Sequence, residues 1–306
     1  MQPEQFSETA IGIASVRAHH SLHDSPLVFD DPFAAMLLDE ADRARAHRHL
    51  MALASAAGRA RAETCDNAVA REGALLRANP FTGSALVAFR CADEWLREAL
   101  DQGIEQCVVL GAGLDSTSLR LAEYAGPLRI FEVDHPATQR HKRRRMVERG
   151  LSPRSGTAFV EVDFHTTDLA AALRAGGFRD DRPAVFSWLN VIYYLRWNAV
   201  LRTFETIHEM AAPGSHVIFD IYETGAKRPT EERDADARMD ALVRSLGEPP
   251  AEGHSAEGLR RALHTMGYAQ VELVRPEEAE PWHQSARALG YGFISGSWVA
   301  RARSHA

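Results

Sequence analysis

The sequence contains little cysteine, and what it has is not arranged for bonding. Its 306 residues include three cysteines, none in a Cys-x-x-Cys spacing, so neither a disulfide framework nor a zinc cluster is predicted. Fourteen histidines are present, and His19, His20 and His23 lie close together. Because no His-Glu-x-x-His pattern accompanies them, we expect surface or cap histidines and no metal site. This cysteine usage favours a reducing cytoplasm.

Long apolar runs and an excess of basic residues are also missing. No segment approaches the roughly 20 apolar residues of a membrane span, and the first residues lack the features of a signal peptide. The formal net charge of -7 argues against nucleic acid as the main partner, since phosphate recognition needs a basic surface. The basic run from His141 to Arg145 has no interleaved aromatic residues, and we interpret it as a solvated helix face.

A hydrophobic content of 45% supports one large domain or a core with an added cap. From about Ser84, a predicted helix N-cap, helical and strand patterns alternate along the chain. Strands are predicted at 108–110, 128–133, 158–163, 184–189 and 216–222, and helices at 84–103, 116–124, 136–149, 169–175 and 197–210. This alternation predicts a doubly wound α/β core with a parallel sheet. Two later strands, at 269–274 and 292–300, are expected to pair antiparallel at one sheet edge.

Two segments fall outside the alternation and suggest the domain organisation. Residues 1–83 read as an N-terminal helical cap, and residues 84–306 as the core domain. Within the core, residues 223–255 form a charged helical insertion after the fifth strand. Ligands of open α/β sheets bind beyond the carboxyl ends of the strands, so we expect the cap and the insertion to close over that site as a lid.

The first predicted strand runs directly into a glycine turn, Gly111-Ala112-Gly113, and Glu132 follows nineteen residues later. Gly111 permits backbone angles that a side chain forbids, and Gly113 lets the main chain approach a ligand closely. A turn of this kind followed by a carboxylate predicts a nucleoside-bearing cofactor whose ribose is held by Glu132. A dinucleotide site prefers a third small turn residue where Ser116 stands, so the match to a nicotinamide dehydrogenase is incomplete.

The residues at the predicted strand ends should line one crevice: Gly111, Glu132, Asp163, Leu189, Asn190 and Tyr222. For Glu132 the alternative is a solvated edge charge. For Asp163 the carboxylate is placed to accept a hydrogen bond from an adenine amino group, and the alternative is an N-cap of the following helix.

An ordered set of motifs across nearly the whole chain resembles the leucine carboxyl methyltransferase-like family of S-adenosylmethionine-dependent enzymes, in its bacterial branch. The motifs comprise five segments, namely Asp30-Asp31-Pro32-Phe33-Ala34, the glycine turn with Leu119-Arg120-Leu121, Phe131-Glu132-Val133-Asp134-His135-Pro136, Ser187 to Leu195, and Gly247-Glu248-Pro249. The resemblance implies a Rossmann-like class I methyltransferase fold with a mostly parallel seven-stranded sheet and helices on both faces. It also implies S-adenosyl-L-methionine as the cofactor, with S-adenosyl-L-homocysteine as its product.

The resemblance implies a role for each cofactor residue. It assigns Gly111, Ala112 and Gly113 to the methionine part, Glu132 to the ribose, and Asp163 with Phe164 to the adenine. Val133 and Leu189 are further expected cofactor-binding residues. Arg90 matches an arginine that clamps the cofactor carboxylate, although a surface pair with Glu94 is the alternative. Arg17 stands where the cap supplies a basic residue near the cofactor or substrate.

For the methyl acceptor, the resemblance and the chemistry together favour a carboxylate, which needs no deprotonation at neutral pH. We expect a small molecule such as a secondary metabolite, or else a peptide terminus, with Asn190, Tyr194 and Tyr222 at the substrate and Tyr193 orienting it. For one of the two adjacent tyrosines, Tyr193 or Tyr194, packing in the core is the alternative. Glycine is common in the family where Asn190 stands. No nucleic acid or membrane partner is expected.

Other acceptors and other classes stay open from the sequence. A hydroxyl acceptor needs a general base, for which His20, His135 and His165 are candidates. An amine acceptor is suggested only by the loose similarity of Asn190-Val191-Ile192-Tyr193 to an Asn-Pro-Pro-Tyr motif. A nicotinamide dehydrogenase and a non-catalytic cofactor-binding protein are the alternatives from other classes, and the oligomeric state is open.

Overall fold

A seven-stranded sheet positions every other element of the chain. The computed structural model describes residues 6–164, 166–223, 228–251 and 254–304. The strands are β1 (Gln106–Leu110), β2 (Arg129–Asp134), β3 (Ala158–Glu161), β4 (Val185–Trp188), β5 (His216–Tyr222), β6 (Tyr268–Val274) and β7 (Ser297–Ser304). Their order is β3-β2-β1-β4-β5-β7-β6, in which β1 to β5 are parallel and β7 runs antiparallel to both of its neighbours. The predicted class I methyltransferase fold is confirmed, including the two late strands at one edge.

Apolar side chains on both faces explain why the central strands are buried. All five residues of β1 are buried. Val108 and Leu110 pack into one hydrophobic cluster, whereas Cys107 and Val109 pack into a second cluster on the opposite face. This is the period-2 alternation of a strand covered by helices on both sides. The chain reverses its direction of travel across the sheet between β1 and β4, and a crevice opens at such a switch point.

Helices cover the sheet and build the cap. They are α1 (Glu8–His23), α2 (Glu40–Leu53), α3 (Ala56–Glu63), α4 (Ala68–Arg77), α5 (Phe81–Asp101), α6 (Thr117–Arg120), α7 (Pro136–Glu148), α8 (Leu169–Ala175), α9 (Trp197–Met210), α10 (Thr230–Ser245), α11 (Ala256–Met266) and α12 (Trp282–Ala288). Polar N-caps begin the cap helices, as at Ser7 of α1 and in the Asp39–Asp42 capping box of α2. None of the helices in the described ranges has the length and apolar composition of a membrane span.

Several element boundaries differ from the sequence expectations. Helix α5 begins three residues before Ser84, whose hydroxyl instead accepts a hydrogen bond from the Ile294 amide at 3.1 Å. Helix α6 is only four residues long, because the Arg154 guanidinium takes the carbonyl oxygens of Leu121 and Tyr124 in the loop that follows. Strand β7 begins at Ser297, after Gly296 with its φ of +79°.

The basic run of α7 is not the solvated helix face that its composition suggested. Arg143 and Arg144 are exposed, but His141, Lys142 and Arg145 are buried. Each of these buried side chains faces an acid supplied by another element, as in the contacts of Arg145 with Asp39 and Asp42. The run therefore joins α7 to the cap and to the sheet.

The proposed cap and lid meet above the crevice. Helix α10 packs on α2, and the Arg238 side chain donates a 2.7 Å hydrogen bond to the Leu53 carbonyl oxygen. Residues 224–227 and 252–253 of the expected insertion lie outside the described residues. The division of the chain at residues 83 and 84 stays a prediction.

Candidate active site

A cavity of about 1400 Å³ lies at the carboxyl ends of the central strands. Its floor is the glycine turn after β1 together with the ends of β2, β4 and β5. Its walls and roof come from α1, α2 and α5 of the N-terminal half and from α10 with the segment that follows it. The crevice predicted from the topology is thus one covered chamber.

The glycine turn after β1 lies at the floor of the cavity and needs residues without a Cβ. Gly111 and Gly113 have φ values of +65° and +43°, in the region that favours glycine. A Cβ on Gly111 would overlap the side chain of Val191 from the loop after β4. The Ala112 amide donates a 3.0 Å hydrogen bond to the Val133 carbonyl oxygen, which fixes the turn against β2. All three turn residues line the cavity as predicted.

The structure corrects the expected position of the ribose-binding acid. Glu132 is 1% exposed and does not line the cavity; its carboxylate accepts hydrogen bonds from the Lys142 ammonium, at 2.6 Å, and from the Ser118 hydroxyl. Val133 is fully buried in the core and also lies outside the cavity. Glu132 and Val133 therefore serve the fold in this arrangement, because their side chains point into the layer between the sheet and its helices.

Asp134, two residues after Glu132, supplies a carboxylate at the rim of β2 instead. It lines the cavity and accepts hydrogen bonds from the backbone amides of Gly113 and His135. Burial raises the pKa of Asp134 to about 6, against the lowering effect of these two amides. Residues two apart on a strand share a face, so the sequence contained two candidate acids for the ribose. The packing of Lys142 against Glu132 distinguishes them in the structure.

Three further expected cofactor-binding residues lie at the cavity, and their roles toward a cofactor stay predictions. Asp163, Phe164 and Leu189 all line the cavity. The alternative role for Asp163 was that of an N-cap for the following helix. The N-cap of α8 is instead Asp168, whose carboxylate accepts a hydrogen bond from the Ala171 amide. The Phe164 ring lies nearly parallel to the buried Trp188 indole, with centroids 6.1 Å apart.

The two arginines carried over from the resemblance have different surroundings. Arg17 lines the cavity and is 2% exposed; its guanidinium donates to the Leu114 carbonyl oxygen at 2.8 Å and lies within 4 Å of the Asp31 and Asp115 carboxylates.

Arg90 does not line the cavity. Its guanidinium binds Glu94 at 2.9 Å and covers the Trp282 ring at 4.0 Å. The alternative pairing with Glu94 is the one observed, because Arg90 lies on the side of α5 that faces α12 rather than the crevice.

The loop after β4 and the end of β5 form a polar group beside the glycine turn. Asn190 has a φ of +59°, and its amide donates a 2.7 Å hydrogen bond to the Asp220 carboxylate. The Tyr193 hydroxyl donates to the Asn190 side-chain oxygen at 3.1 Å. The Tyr194 ring meets the Tyr193 ring edge-on at 4.7 Å. These four residues line the cavity, and burial raises the pKa of both tyrosines, so their hydroxyls stay protonated at neutral pH.

Sequence reasoning missed Asp220. It interrupts the otherwise apolar strand β5 two residues before the strand ends, and that interruption was the available signal. Burial raises the pKa of Asp220 to about 7, although the amides of Asn190 and of Asp220 itself act in the lowering direction. A carboxyl group that titrates near neutral pH therefore faces the cavity.

Tyr222 lines the cavity with its ring, but its hydroxyl serves the lid. It donates to Asp236 of α10, which also binds the Arg228 guanidinium. Arg228 in turn donates to the Ser295 carbonyl oxygen at 2.8 Å and covers the Tyr222 ring at 4.5 Å. This network ties the start of the lid to the ends of β5 and β7.

The outer part of the cavity is mostly apolar and closes on the cap. Its apolar lining includes Ile13, Val16, Leu50, Leu53, Met239, Val243 and Leu246. Glu248, after α10, accepts from the Glu8 amide at 3.0 Å and from the Thr9 hydroxyl at 2.6 Å. The lid thereby caps the first turn of α1 with an acid, as the orphan amides and dipole of a helix N-terminus favour.

The candidate histidine bases have structural roles. Both ring nitrogens of His20 are engaged, one with Asp24 at 2.8 Å and the other with the Val28 amide. His135 lines the cavity beside Asp134 and caps α7 through its ring nitrogen. His165 lies outside the described residues. No cluster of three or more potential metal ligands occurs in the part of the chain that the structure describes.

Comparison with known proteins adds to this geometry. A family model described as leucine carboxyl methyltransferase matches residues 10–208. The chain is 27% identical to the "Putative S-adenosyl-L-methionine-dependent methyltransferase YktD" of Bacillus subtilis over 281 residues, 91% of each chain. It is 32% identical over 234 residues, 76% of this chain and 71% of the other, to a protein of the same description from Mycobacterium avium.

A solved structure supports the fold independently. The crystal structure of a "putative methyltransferase" from Thermobifida fusca superposes with a TM-score of 0.55. It covers 85% of this chain and 94% of the other at 18% identity. This likeness concerns the fold alone.

Proposed function

The chain belongs to the leucine carboxyl methyltransferase family and is an S-adenosyl-L-methionine-dependent methyltransferase, and from this premise we propose that it methylates a carboxylate oxygen of a small molecule. The observation that carries the proposal is the cavity of about 1400 Å³, which joins the glycine turn to an apolar chamber between the cap and the lid. A dehydrogenase and a non-catalytic binding protein are set aside by the family.

We assign the cofactor to the floor of the cavity. Gly111 to Gly113 line the cavity, and we assign the methionine part of the cofactor to their backbone. Asp134 takes the ribose role first expected for Glu132, because each of its oxygens accepts one backbone amide and keeps a lone pair for a ribose hydroxyl. Asp163, Phe164 and Leu189 border the adenine.

Arg17 is assigned to hold the turn in place. Its guanidinium binds the Leu114 carbonyl oxygen next to Gly113, and Asp31 and Asp115 balance its charge. The cofactor supplies a methyl group already activated on a sulfonium. The protein then has to orient the acceptor in line with that group and exclude water.

The size and lining of the outer chamber support a small acceptor with an apolar body. Apolar side chains of α1, α2 and α10 surround it. The contacts of Arg238 with Leu53 and of Glu248 with Thr9 hold the lid against the cap. A folded protein substrate would have to displace both contacts, whereas a small molecule fits beneath them. Asn190, Tyr193 and Tyr194 lie where the chamber meets the glycine turn, and we assign them to the acceptor.

A carboxylate acceptor agrees with the positions of the titratable groups. A carboxylate is already a nucleophile at neutral pH, so transfer to it needs no general base. His20 and His135, two candidate bases, are held by Asp24 and by the first turn of α7. The neutral hydroxyl and amide groups near Asn190 suit an anion that must be held without a strong counter-charge.

A hydroxyl acceptor is the second candidate, and Asp220 is the observation that favours it. A carboxylate whose pKa is raised to about 7 is well matched to accept a proton from a hydroxyl. An amine acceptor has less support, since the Asn190 side-chain oxygen already accepts from Tyr193.

Base lability of the product tests the acceptor. Purified protein with methyl-labelled S-adenosyl-L-methionine is offered apolar carboxylic acids and the alcohols of the same skeletons. We expect label in a product that mild base hydrolyses to methanol and the acid. The Asp134→Asn variant should lose the transfer, whereas Asp181→Asn, at an exposed surface pair with Arg179, should keep it. Label that appears only in a base-stable ether would overturn the carboxylate assignment.

A further inference from the structure

Asp220 and Asn190 form a pair at the junction between the glycine turn and the apolar chamber. One Asp220 oxygen accepts the Asn190 amide at 2.7 Å. The Asn190 side-chain oxygen accepts the Tyr193 hydroxyl, which leaves the two N–H groups of that side-chain amide as donors. Both residues line the cavity. The pair therefore presents polar atoms at the place where an acceptor has to meet the methyl group.

The surroundings of Asp220 are short of charge. The opposite residue on β7 is Val299, and the cavity-facing residues of α5 nearby are apolar or hydroxylic. The titratable groups of the neighbouring cavity wall are Tyr193, Tyr194 and Tyr222. The same wall also carries charged residues, namely Arg196, Glu248 and the Arg228–Asp236 pair at the start of the lid. The two causes that act on the Asp220 pKa among described residues are burial and backbone amides, with no charged side chain.

We propose that Asp220 is a positioning residue that binds the acceptor carboxylate in its protonated form, donating its O–H beside the Asn190 side-chain amide. This inference rests on the proposed carboxylate acceptor. Two carboxyl groups at hydrogen-bond distance cannot both be ionised at low cost, so they share one proton. The free protein is already close to that state, because burial raises the pKa of Asp220 to about 7.

Neutral donors suit the charge changes of this reaction. A lone pair of the acceptor oxygen forms the new O–C bond, the C–S bond breaks, and its electron pair goes to sulfur. The negative carboxylate and the positive sulfonium are both neutralised, and the proton of Asp220 stays on Asp220. A cationic partner would stabilise the starting anion more than the transition state, in which the charge has dispersed. A neutral O–H and an amide N–H also orient the carboxylate, but they stabilise the starting anion less than a cation would and therefore raise the barrier less.

The first test compares Asp220→Asn with Asp220→Ala on the acid identified by base-labile transfer, at saturating cofactor. The asparagine reproduces the protonated aspartate, with an oxygen for the Asn190 amide and an N–H for the acceptor. We expect wild-type kcat/KM for the acid to fall as pH rises above about 7, because this ratio reports the protonation of the free protein. The Asn variant should keep its rate within about threefold and lose this pH dependence, and the Ala variant should lose roughly 10- to 100-fold.

A second measurement reads the proton without any substrate. Infrared difference spectra of the full chain, wild type minus Asp220→Asn, should contain a protonated-carboxyl band below pH 7 that fades as pH rises through about 7. Asp181→Asn is the matched control, because its exposed partner Arg179 lowers the Asp181 pKa and keeps it ionised. The absence of this band at every pH from 5 to 8 would overturn the inference.

The possible failures are distinguishable. If the product is base-stable and the wild-type rate rises with pH while Asp220→Asn is inactive, Asp220 is a base for a hydroxyl and the proposed function itself is wrong. If the product is an ester and Asp220→Asn is inactive despite an unchanged melting temperature, only the proton-donor role fails. If the Asn variant is active and neither variant has the pH dependence of the wild type, the proton-donor role is supported.

Discussion

Two acids on one strand, Glu132 and Asp134, give opposite predictions when they are replaced. Glu132 is buried against Lys142, and Asp134 lines the cavity. We expect Glu132→Ala to weaken the fold and to leave ligand affinity unchanged in the molecules that remain folded. We expect Asp134→Asn to weaken the binding of S-adenosyl-L-homocysteine and to leave the fold nearly intact.

The magnitudes follow from burial. Glu132 and Lys142 side chains are each 1% exposed, and their charged atoms are 2.6 Å apart. Removing one partner of such a pair costs about 3 to 5 kcal/mol, because the other charge is left buried without compensation. For a chain of this length that free energy corresponds to a fall in Tm of roughly 6 to 15 °C. At Asp134, the loss of hydrogen bonds to an ionised acceptor should raise Kd about 10- to 100-fold.

Thermal melts and calorimetric titrations with S-adenosyl-L-homocysteine separate the two roles. A double variant, Glu132→Gln with Lys142→Met, removes both charges and should recover most of the lost stability. For Asp134→Asn we expect a smaller fall in Tm, of about 2 to 6 °C, because the single asparagine oxygen accepts only one of the two backbone amides. The reasoning is refuted if Glu132→Ala keeps the wild-type Tm and loses affinity, since that result would return the ribose to Glu132.

Three further outcomes are expected. The Asp220 pKa is about 7 in the folded chain and near 4 when the chain is unfolded. The contribution of Asp220 to the free energy of unfolding is therefore complete below pH 4 and is lost as pH rises through 7. In denaturant titrations, Asp220→Asn should be about 1 to 3 kcal/mol more stable than wild type at pH 8 and equal to it at pH 4. Arg90→Ala should lose under about 1 kcal/mol, through its contacts with Glu94 and Trp282, and bind cofactor as wild type does in calorimetry; a tenfold weaker Kd would restore Arg90 to the cofactor. Asn190→Gly should preserve Tm and cofactor affinity and raise KM for the acceptor roughly tenfold, and an unchanged KM would remove the amide from the acceptor site.

The pattern of apolar residues was sufficient to predict the sheet, because the same apolar side chains that form the pattern also pack the strands against the helices. Strands β1 and β5 are apolar runs that helices cover on both faces, and the glycine turn follows β1 directly. Periodicity gave no means of deciding which of the two acids of β2 faces the cavity. Glu132 and Asp134 share a face of the strand, and they differ because Lys142 of α7 packs against Glu132. Composition alone predicted that Lys142 would be a solvated charge, whereas it is buried in this contact between two elements.

Arg90 shows the same limit on a helix. The residues of α5 that line the cavity include Ala85, Ala88 and Phe89, and Arg90 follows them at the next step of about 100° around the helix axis. Which side of this boundary faces the crevice depends on the rotation of the whole helix. That rotation is set by contacts of α5 with α12 and with β5, which lie far apart in sequence.

Asn190 joins the backbone requirement of the site to its chemistry. Its φ of +59° lies in the region where glycine is most at ease and where asparagine is the next most tolerant residue. A glycine there would keep the turn and the bond from its amide to Asp220, but it would offer no side chain to the cavity. Asparagine keeps the same backbone and adds an oxygen for Tyr193 and a side-chain amide with two N–H donors at the cavity wall. Asn190→Gly therefore separates the backbone requirement of the turn from the proposed contact with the acceptor, because it preserves the first and removes only the second.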